Sequence, residues 1–374
     1  MSSQKRKVLS VVGTRPNFMK TAPIVAELTA RSDEFTSVLV HTGQHYDHAM
    51  SRIFIDELGV GEPDHMLGVG SGSHAQQTAR VIAGLEPLLV EHEPDVVLVP
   101  GDVNSTMAAA LVACKLQIPV GHVEAGLRSF DRTMPEEINR VVTDSISDLL
   151  FIHSPEARDH LLREGRADAA IHYVGNTMID TLVAMRPHLD ADRVLGQHGL
   201  RDRDYLVVTL HRPALVDGAL LGDAIAALAR VSAALPVVFP VHPRTRDAIA
   251  ERGLPIPAGL HLLEPLGYLD FLALVSRAAG VLTDSGGIQE ETTYLGVPCF
   301  TLRDNTERPV TIELGTNTLL GLDPARIDEV PDLLQSAATR TRQVPPLWDG
   351  QAARRIVDAL SGVELAQRDV ANAA

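Results

Sequence analysis

Cysteine is scarce in this chain of 374 residues: Cys114 and Cys299 are the whole complement. Two thiols in separate apolar segments give neither a disulfide framework nor a cysteine-based zinc site, and both read as buried small hydrophobes. Cations are in deficit too, with 33 Lys and Arg against 48 Asp and Glu and a formal net charge of −15. That balance argues against nucleic-acid and membrane partners, whose electrostatic footprint is basic. A small anionic substrate would instead need a local basic cluster. No apolar run approaches the length of a membrane span, and Met-Ser-Ser-Gln-Lys-Arg-Lys leads directly into a strand-sized run rather than a signal-peptide core. A cytoplasmic setting is the expectation.

What is present is a regular alternation. Short β-branched runs at 7–12, 37–41, 96–100, 120–123, 149–153 and 172–174 read as strands, with helices such as 20–30 and 106–116 between them. A polar stretch at 187–204 reads as a helix and loop between lobes. A second series follows, with strands at 205–209, 237–241, 261–263, 280–283 and 298–301, helices at 224–234, 268–278 and 288–295, and a last helix near 350–360. The pattern predicts an α/β protein of two Rossmann-like, doubly wound parallel-sheet domains facing a central cleft. The boundaries expected are 1–175, with the C-terminal helix of about 350–374 packing back on it, and 176–349.

In such folds ligands bind beyond the carboxyl ends of the strands, and charge collects there. The stretch 121–140 carries Glu124 and Glu136 together with Arg128, Arg132 and Arg140, and Asp102 follows the preceding strand. Asp102, Glu124 and Glu136, converging from neighbouring strand ends, would repel one another, raise at least one pKa and supply an acid and a base; exposed carboxylates paired with the arginines are the alternative, and Asp102 alone reads equally as a helix cap. Gly13-Thr14-Arg15-Pro16 lacks the Gly-x-Gly-x-x-Gly spacing of a dinucleotide loop, but offers Arg15 with Lys20 about a turn away. Asp284-Ser285-Gly286-Gly287 precedes a helix whose free amides suit a phosphate; a plain cap by Asp284 or Ser285 accounts for some of the same residues, but two adjacent glycines exceed what a cap needs. His211 and His242 each end a strand of the second series, without metal-ligand spacing. Arg308 reads as a ligand cation or a surface ion-pair former.

Together, Gly13-Thr14-Arg15-Pro16, Gly101-Asp102, His122-Val123-Glu124-Ala125-Gly126-Leu127-Arg128, Pro135-Glu136-Glu137-x-Asn139-Arg140 and Asp284-Ser285-Gly286-Gly287-Ile288-Gln289-Glu290-Glu291 resemble the non-hydrolysing UDP-N-acetylglucosamine 2-epimerases from about residue 8 to about residue 360. The resemblance implies a glycosyltransferase-B architecture and a homodimer. It also implies reversible conversion of UDP-N-acetylglucosamine to UDP-N-acetylmannosamine, through elimination of UDP to 2-acetamidoglucal and re-addition, with no cofactor or metal. By motif position Asp102, Glu124 and Glu136 match catalytic carboxylates. Arg15, Lys20, His211, Ser285, Gly286, Gly287, Glu291 and Arg308 match nucleotide contacts, with Glu291 toward the ribose; Arg140 would orient Glu136 and His242 would line the cleft.

Two segments depart from many bacterial members. Gln44-His45-Tyr46-Asp47 and His211-Arg212-Pro213-Ala214-Leu215 lack an Arg and a Glu associated with a second, regulatory substrate molecule, so substrate allostery is expected to be absent. The competing readings are a hydrolysing epimerase that releases UDP and free N-acetylmannosamine, a glycosyltransferase of the same architecture, and an inactive nucleotide-sugar sensor.

Overall fold

The β-branched runs are strands buried on both faces, as β1 (Arg6–Val12) illustrates. Val8 packs into one apolar cluster with Ile24, Leu98 and Phe151, while Leu9 and Val11 pack into another with Leu85, Val97 and Val99. This is the two-residue period of a sheet covered on each side by helices. The computed structural model describes residues 5–43, 61–337 and 342–362; Gln44, His45, Tyr46 and Asp47 lie outside them.

The chain forms two units, residues 1–184 with 346–374, and 185–345. In the first, β1 is joined by β2 (Phe35–His41), β3 (His65–Met66), β4 (Val96–Pro100), β5 (Val120–Val123), β6 (Leu149–Ile152) and β7 (Ile171–Tyr173). Every pairing is parallel and the order is β3-β2-β1-β4-β5-β6-β7. The second holds β8 (Leu206–Thr209), β9 (Val237–Pro240), β10 (Leu260–Leu263), β11 (Gly280–Thr283), β12 (Cys299–Thr301) and β13 (Asn317–Leu319). Its order is β10-β9-β8-β11-β12-β13, again all parallel. Both sheets therefore reverse strand order beside their own first strand, between β1 and β4 and between β8 and β11. That is where a doubly wound sheet presents its ligand crevice.

The units divide at 184/185 and 345/346, against the expected 175/176 and 349/350. The cause is the helix Thr177–Met185, whose residues through Leu182 are buried. Its Thr181 hydroxyl donates to the Met19 carbonyl, and Asp180 accepts from the backbone N–H groups of Ala352 and Ala353 at 3.1 and 2.7 Å. Those two amides open the last described helix, Ala352–Gly362, which packs Ala353, Ile356, Val357 and Leu360 beside β1 and β4 residues of the first unit.

Three sequence expectations change. Strands β3 and β13 are not predicted because His-Met and Asn-Thr-Leu make no apolar, β-branched run. Helices begin earlier than predicted, at Arg15 and Leu220 for example: the first turn Arg-Pro-Asn-Phe of the former is mostly polar, and Gly222-Asp223 interrupts the apolar pattern of the latter. Cys114 is exposed while Cys299 is buried, because Cys114 sits on the outward side of the helix Asn104–Lys115, next to the buried Val112 and Ala113.

Candidate active site

In the first unit, three chain segments meet at the carboxyl edge beside the strand-order reversal. The helix Arg15–Ala30 follows β1, and its Asn17 side chain donates to the Pro100 carbonyl at the end of β4 at 2.9 Å. One turn on, the buried Lys20 ammonium pairs with the Glu124 carboxylate. Glu124 follows β5 and holds a left-handed backbone, φ +74°. This is an uncommon conformation for a side-chain-bearing residue and a place where strain is stored. It is over-determined here, since the amides of Glu124 and Ala125 both donate to the Phe151 carbonyl at 3.0 Å. Between the two strand ends Gly101, φ +69°, lets Lys20, Asn17 and Glu124 approach: a Cβ there would lie 3.0 Å from the Lys20 Nζ and 3.2 Å from the Asn17 amide nitrogen. A small cavity beside the pair is lined by Lys20, Glu124, His153, Gly175, Asn176 and Thr177. Gly13 is required for contact with the helix Asn104–Lys115, because a Cβ would sit 2.5 Å from the Ser105 Oγ.

Asp102, next after Gly101, pairs with the Arg140 guanidinium, and its own carbonyl accepts from the Asn139 side chain at 2.9 Å. Arg140 is only 1% exposed. It also donates to Glu137 through Nε at 3.1 Å and Nη2 at 2.7 Å. Burial acts to raise the Glu137 pKa, yet the Ser129 and Phe130 amides and Arg140 hold its carboxyl below the usual carboxylate range. Glu136 is half-buried in the first turn of the same helix, Pro135–Ile146, where the helix dipole favours negative charge. The expectation of three mutually repelling carboxylates changes accordingly: Lys20 offsets Glu124 and Arg140 offsets Asp102. Of the three arginines, Arg132 is exposed, but Arg128 and Arg140 are buried and are not surface partners. Arg128 is buried between Asp144 and Glu164.

The second unit builds a different edge. Asp284 follows β11 and is 1% exposed. Its Oδ2 accepts from the backbone N–H groups of His211 and Arg212, both at 2.7 Å, and its Oδ1 lies 2.9 Å from the His211 Nδ1. Burial opposes ionisation, but His211 and these amides hold the Asp284 pKa below the ordinary value. Asp284 thus ties two strand ends together and does not cap the next helix. Ser285 stands at the N-cap of Gly286–Leu295 with no side-chain cap bond, so the first-turn amides are not taken by a cap. His211 and His242 lie with ring centroids 5.9 Å apart, and the His242 Nδ1 accepts from the Arg244 amide.

Arg308 is buried against this turn. Its Nε donates to Glu290 at 2.8 Å and its Nη1 pairs with Glu307, which a second cation, Arg303, reaches at 2.8 Å. Burial works to raise Glu307, and Arg308 and Arg303 outweigh it, holding its carboxyl well below the usual range. Gly286 is forced by this packing, since a Cβ would fall 2.4 Å from the Arg308 Nη1 and 2.8 Å from the Glu307 Oε1. Glu291, also buried, accepts from the Tyr268 hydroxyl at 3.1 Å. Gly287 is half-buried in the first turn. The side chain of Arg15, first residue of its helix, lies outside the described set. Sequence reasoning quotes Glu137 and Asn139 only as letters of a motif and gives no role to them or to Asp144, His153, Arg303 and Glu307. The available signal was polar residues at helix and strand positions that otherwise face a core.

Two all-parallel α/β units, each with polar residues gathered past its strand-order reversal, define a glycosyltransferase-B type protein. The chain belongs to the UDP-N-acetylglucosamine 2-epimerase family, whose profile matches residues 26–361. It is 39% identical over 366 residues to the UDP-N-acetylglucosamine 2-epimerase of Methanococcus maripaludis, covering 95% of this chain and 98% of that one. It is likewise 39% identical to the UDP-2,3-diacetamido-2,3-dideoxy-D-glucuronate 2-epimerase of Pseudomonas aeruginosa, covering 95% and 99%. The crystal structure of the Methanocaldococcus jannaschii UDP-GlcNAc 2-epimerase in complex with UDP-GlcNAc and UDP is 40% identical, matches with a TM-score of 0.86, and covers 95% of this chain and 99% of its own. Among the described residues no helix is long and apolar enough to cross a membrane.

Proposed function

We propose that this protein interconverts UDP-N-acetylglucosamine and UDP-N-acetylmannosamine without hydrolysis and without substrate allostery. The observation that carries the reading is the Lys20–Glu124 pair beside Asp102 at one strand-order reversal, with Glu124 held in a left-handed backbone. Carbon 2 of the sugar is not adjacent to a carbonyl, so its proton is too weakly acidic for an enolate route. Elimination solves this. One carboxylate takes the carbon-2 proton, the bond from carbon 1 to the UDP oxygen breaks, and a carbon 1–carbon 2 double bond forms. Proton return to the opposite face of carbon 2 and re-addition of the UDP oxygen at carbon 1 give the epimer.

In this scheme Asp102, Glu124 and Glu136 handle the proton and the cationic character at carbon 1. Arg15, Lys20, Arg308, Ser285 and the amides of Gly286 and Gly287 receive the departing diphosphate, where preorganised donors are most effective. Glu291 takes the ribose hydroxyls, and His211 and His242 lie along the nucleotide. The inventory asks for no redox cofactor, and a homodimer accords with the family. The Pseudomonas aeruginosa relative, at the same 39% identity, favours a second reading in which a 2,3-diacetamido uronate sugar occupies the same place.

Proton NMR in deuterated water, with each sugar nucleotide supplied separately, is the test. Formation of UDP-N-acetylmannosamine carrying deuterium at carbon 2, with little free sugar, is the expected result. Free N-acetylmannosamine with stoichiometric UDP would replace the proposal by hydrolysis. Turnover of only the diacetamido uronate would replace the substrate. UDP binding with no exchange would leave a transferase or a sensor.

A further inference from the structure

His122, on β5 one residue short of the strand end, is fully buried, and both its ring nitrogens are engaged. The Nδ1 lies 2.6 Å from the Asp144 Oδ1, and the Nε2 lies 2.7 Å from the Gly101 carbonyl oxygen. A carboxylate and a carbonyl can only accept, so both nitrogens donate. Asp144 is itself fixed: its Oδ2 accepts from the Gly126 amide at 3.0 Å and meets the Arg128 Nη1 at 2.7 Å, while Arg128 is held on its other side by Glu164 at 2.8 Å. Burial acts to raise Asp144, and His122 and Arg128 outweigh it, keeping the carboxyl below its usual range. Asp144 stands four residues after Arg140 on one helix, so the two occupy neighbouring turns of one side.

The consequence falls on the peptide before Asp102. Gly101 donates its N–H to the Val123 carbonyl at 2.9 Å, and its carbonyl is held by His122. The Asp102 carbonyl is held by Asn139 and its carboxylate by Arg140. Gly101 has a positive φ and no side chain to fix it; without these bonds its backbone would have the widest freedom of any residue.

We propose that His122, braced by Asp144 and Arg128, is a positioning residue for Asp102: it pins the Gly101 carbonyl and so fixes the direction in which the Asp102 carboxylate leaves the strand edge. The proposal rests on the reading above, in which Asp102 serves the epimerisation. It extends that reading to a pair that touches no substrate.

The test compares His122→Asn with His122→Gln. The shorter amide reaches Asp144 but not Gly101, whereas the longer one reaches the Gly101 carbonyl. In the full-length enzyme, His122→Asn is expected to lower kcat by roughly 10- to 100-fold, as a displacement of about 1 Å does, with KM and the UDP dissociation constant within about twofold. His122→Gln is expected to restore most of that loss. Equal kcat values for the two variants, or unchanged kcat with a lowered melting temperature, would make the role merely structural and overturn it. Wild-type enzyme that turns over neither sugar nucleotide would sink the underlying reading instead. In that case the crystal structure of His122→Asn decides: an Asp102 carboxylate displaced from Arg140 supports positioning, and an unmoved one refutes it.

Discussion

In each unit the first strand beyond the reversal of strand order is followed by an aspartate, Asp102 after β4 and Asp284 after β11. Asp284 comes directly after the strand and turns back onto the neighbouring strand end, where two amides and an imidazole occupy its carboxylate. Asp102 is set one residue farther out by Gly101, and its side chain remains 26% exposed while paired with a single arginine. One inserted glycine thus separates an acid that ties strands together from one whose side chain stays partly exposed beside its arginine. Position in a fold does not assign a role; the partners do.

The contrast can be broken most forcefully at Asp102. Asp102→Asn keeps the shape and removes the charge, and turnover should fall by roughly 10²- to 10⁴-fold with the melting temperature nearly unchanged. If stability rather than rate is lost, the two aspartates are alike after all. Asp284→Ala should do the reverse. Two half-buried amides and an imidazole would lose their acceptor at a cost of about 3 kcal/mol, lowering the melting temperature of the second unit by roughly 6–12 °C in calorimetry.

Gly286→Ala sharpens the same division from the nucleotide side. The new methyl would collide with the Arg308 guanidinium and Glu307. UDP affinity measured by titration calorimetry should weaken by about 10-fold, while kcat at saturation holds. A drop in kcat at unchanged affinity would count against a nucleotide role for this turn.

A smaller effect is expected from pH at Asp180. Burial pushes its carboxyl up to about 6, against the bonds from the Ala353 and Ala352 amides. An acid whose folded value is raised binds its proton more tightly when folded. Its contribution is therefore fully present below the unfolded value, near 4, and is lost as pH rises through about 6. The loss is at most on the order of 3 kcal/mol. Amides of the helix Ala352–Gly362 should exchange hydrogen faster at pH 7.5 than at pH 5, beyond the intrinsic acceleration, and Asp180→Asn should flatten the difference.

The architecture was legible because strands covered on both faces announce themselves as unbroken apolar runs; β4, β5 and β11 were read to the residue. Their glycine and charge punctuation pointed to the right edges. Partner choice was not legible. Nothing in the string Pro-Glu-Glu-Ile-Asn-Arg says that Arg140 meets Glu137 and Asp102, because the second contact spans 38 residues and depends on how the helix Pro135–Ile146 packs against the helix Asn104–Lys115 and β5. Asp284 looked like a helix cap for the same reason: the amides it binds belong to a strand end 73 residues earlier. Buried His122 passed as one letter of a motif, although an imidazole inside an apolar strand already demands two partners.

The last described helix of the first unit also governs how the protein is made. Residues 185–345 form the second unit, and only afterwards does the chain supply Ala352–Gly362 to cover β1 and β4. On the ribosome the second unit is finished while the first still lacks a wall, so Val8, Ile24 and Phe35 wait with an apolar side uncovered. A truncation before residue 352 would leave that wait permanent. Its cost would appear as insolubility rather than as a change in catalytic rate.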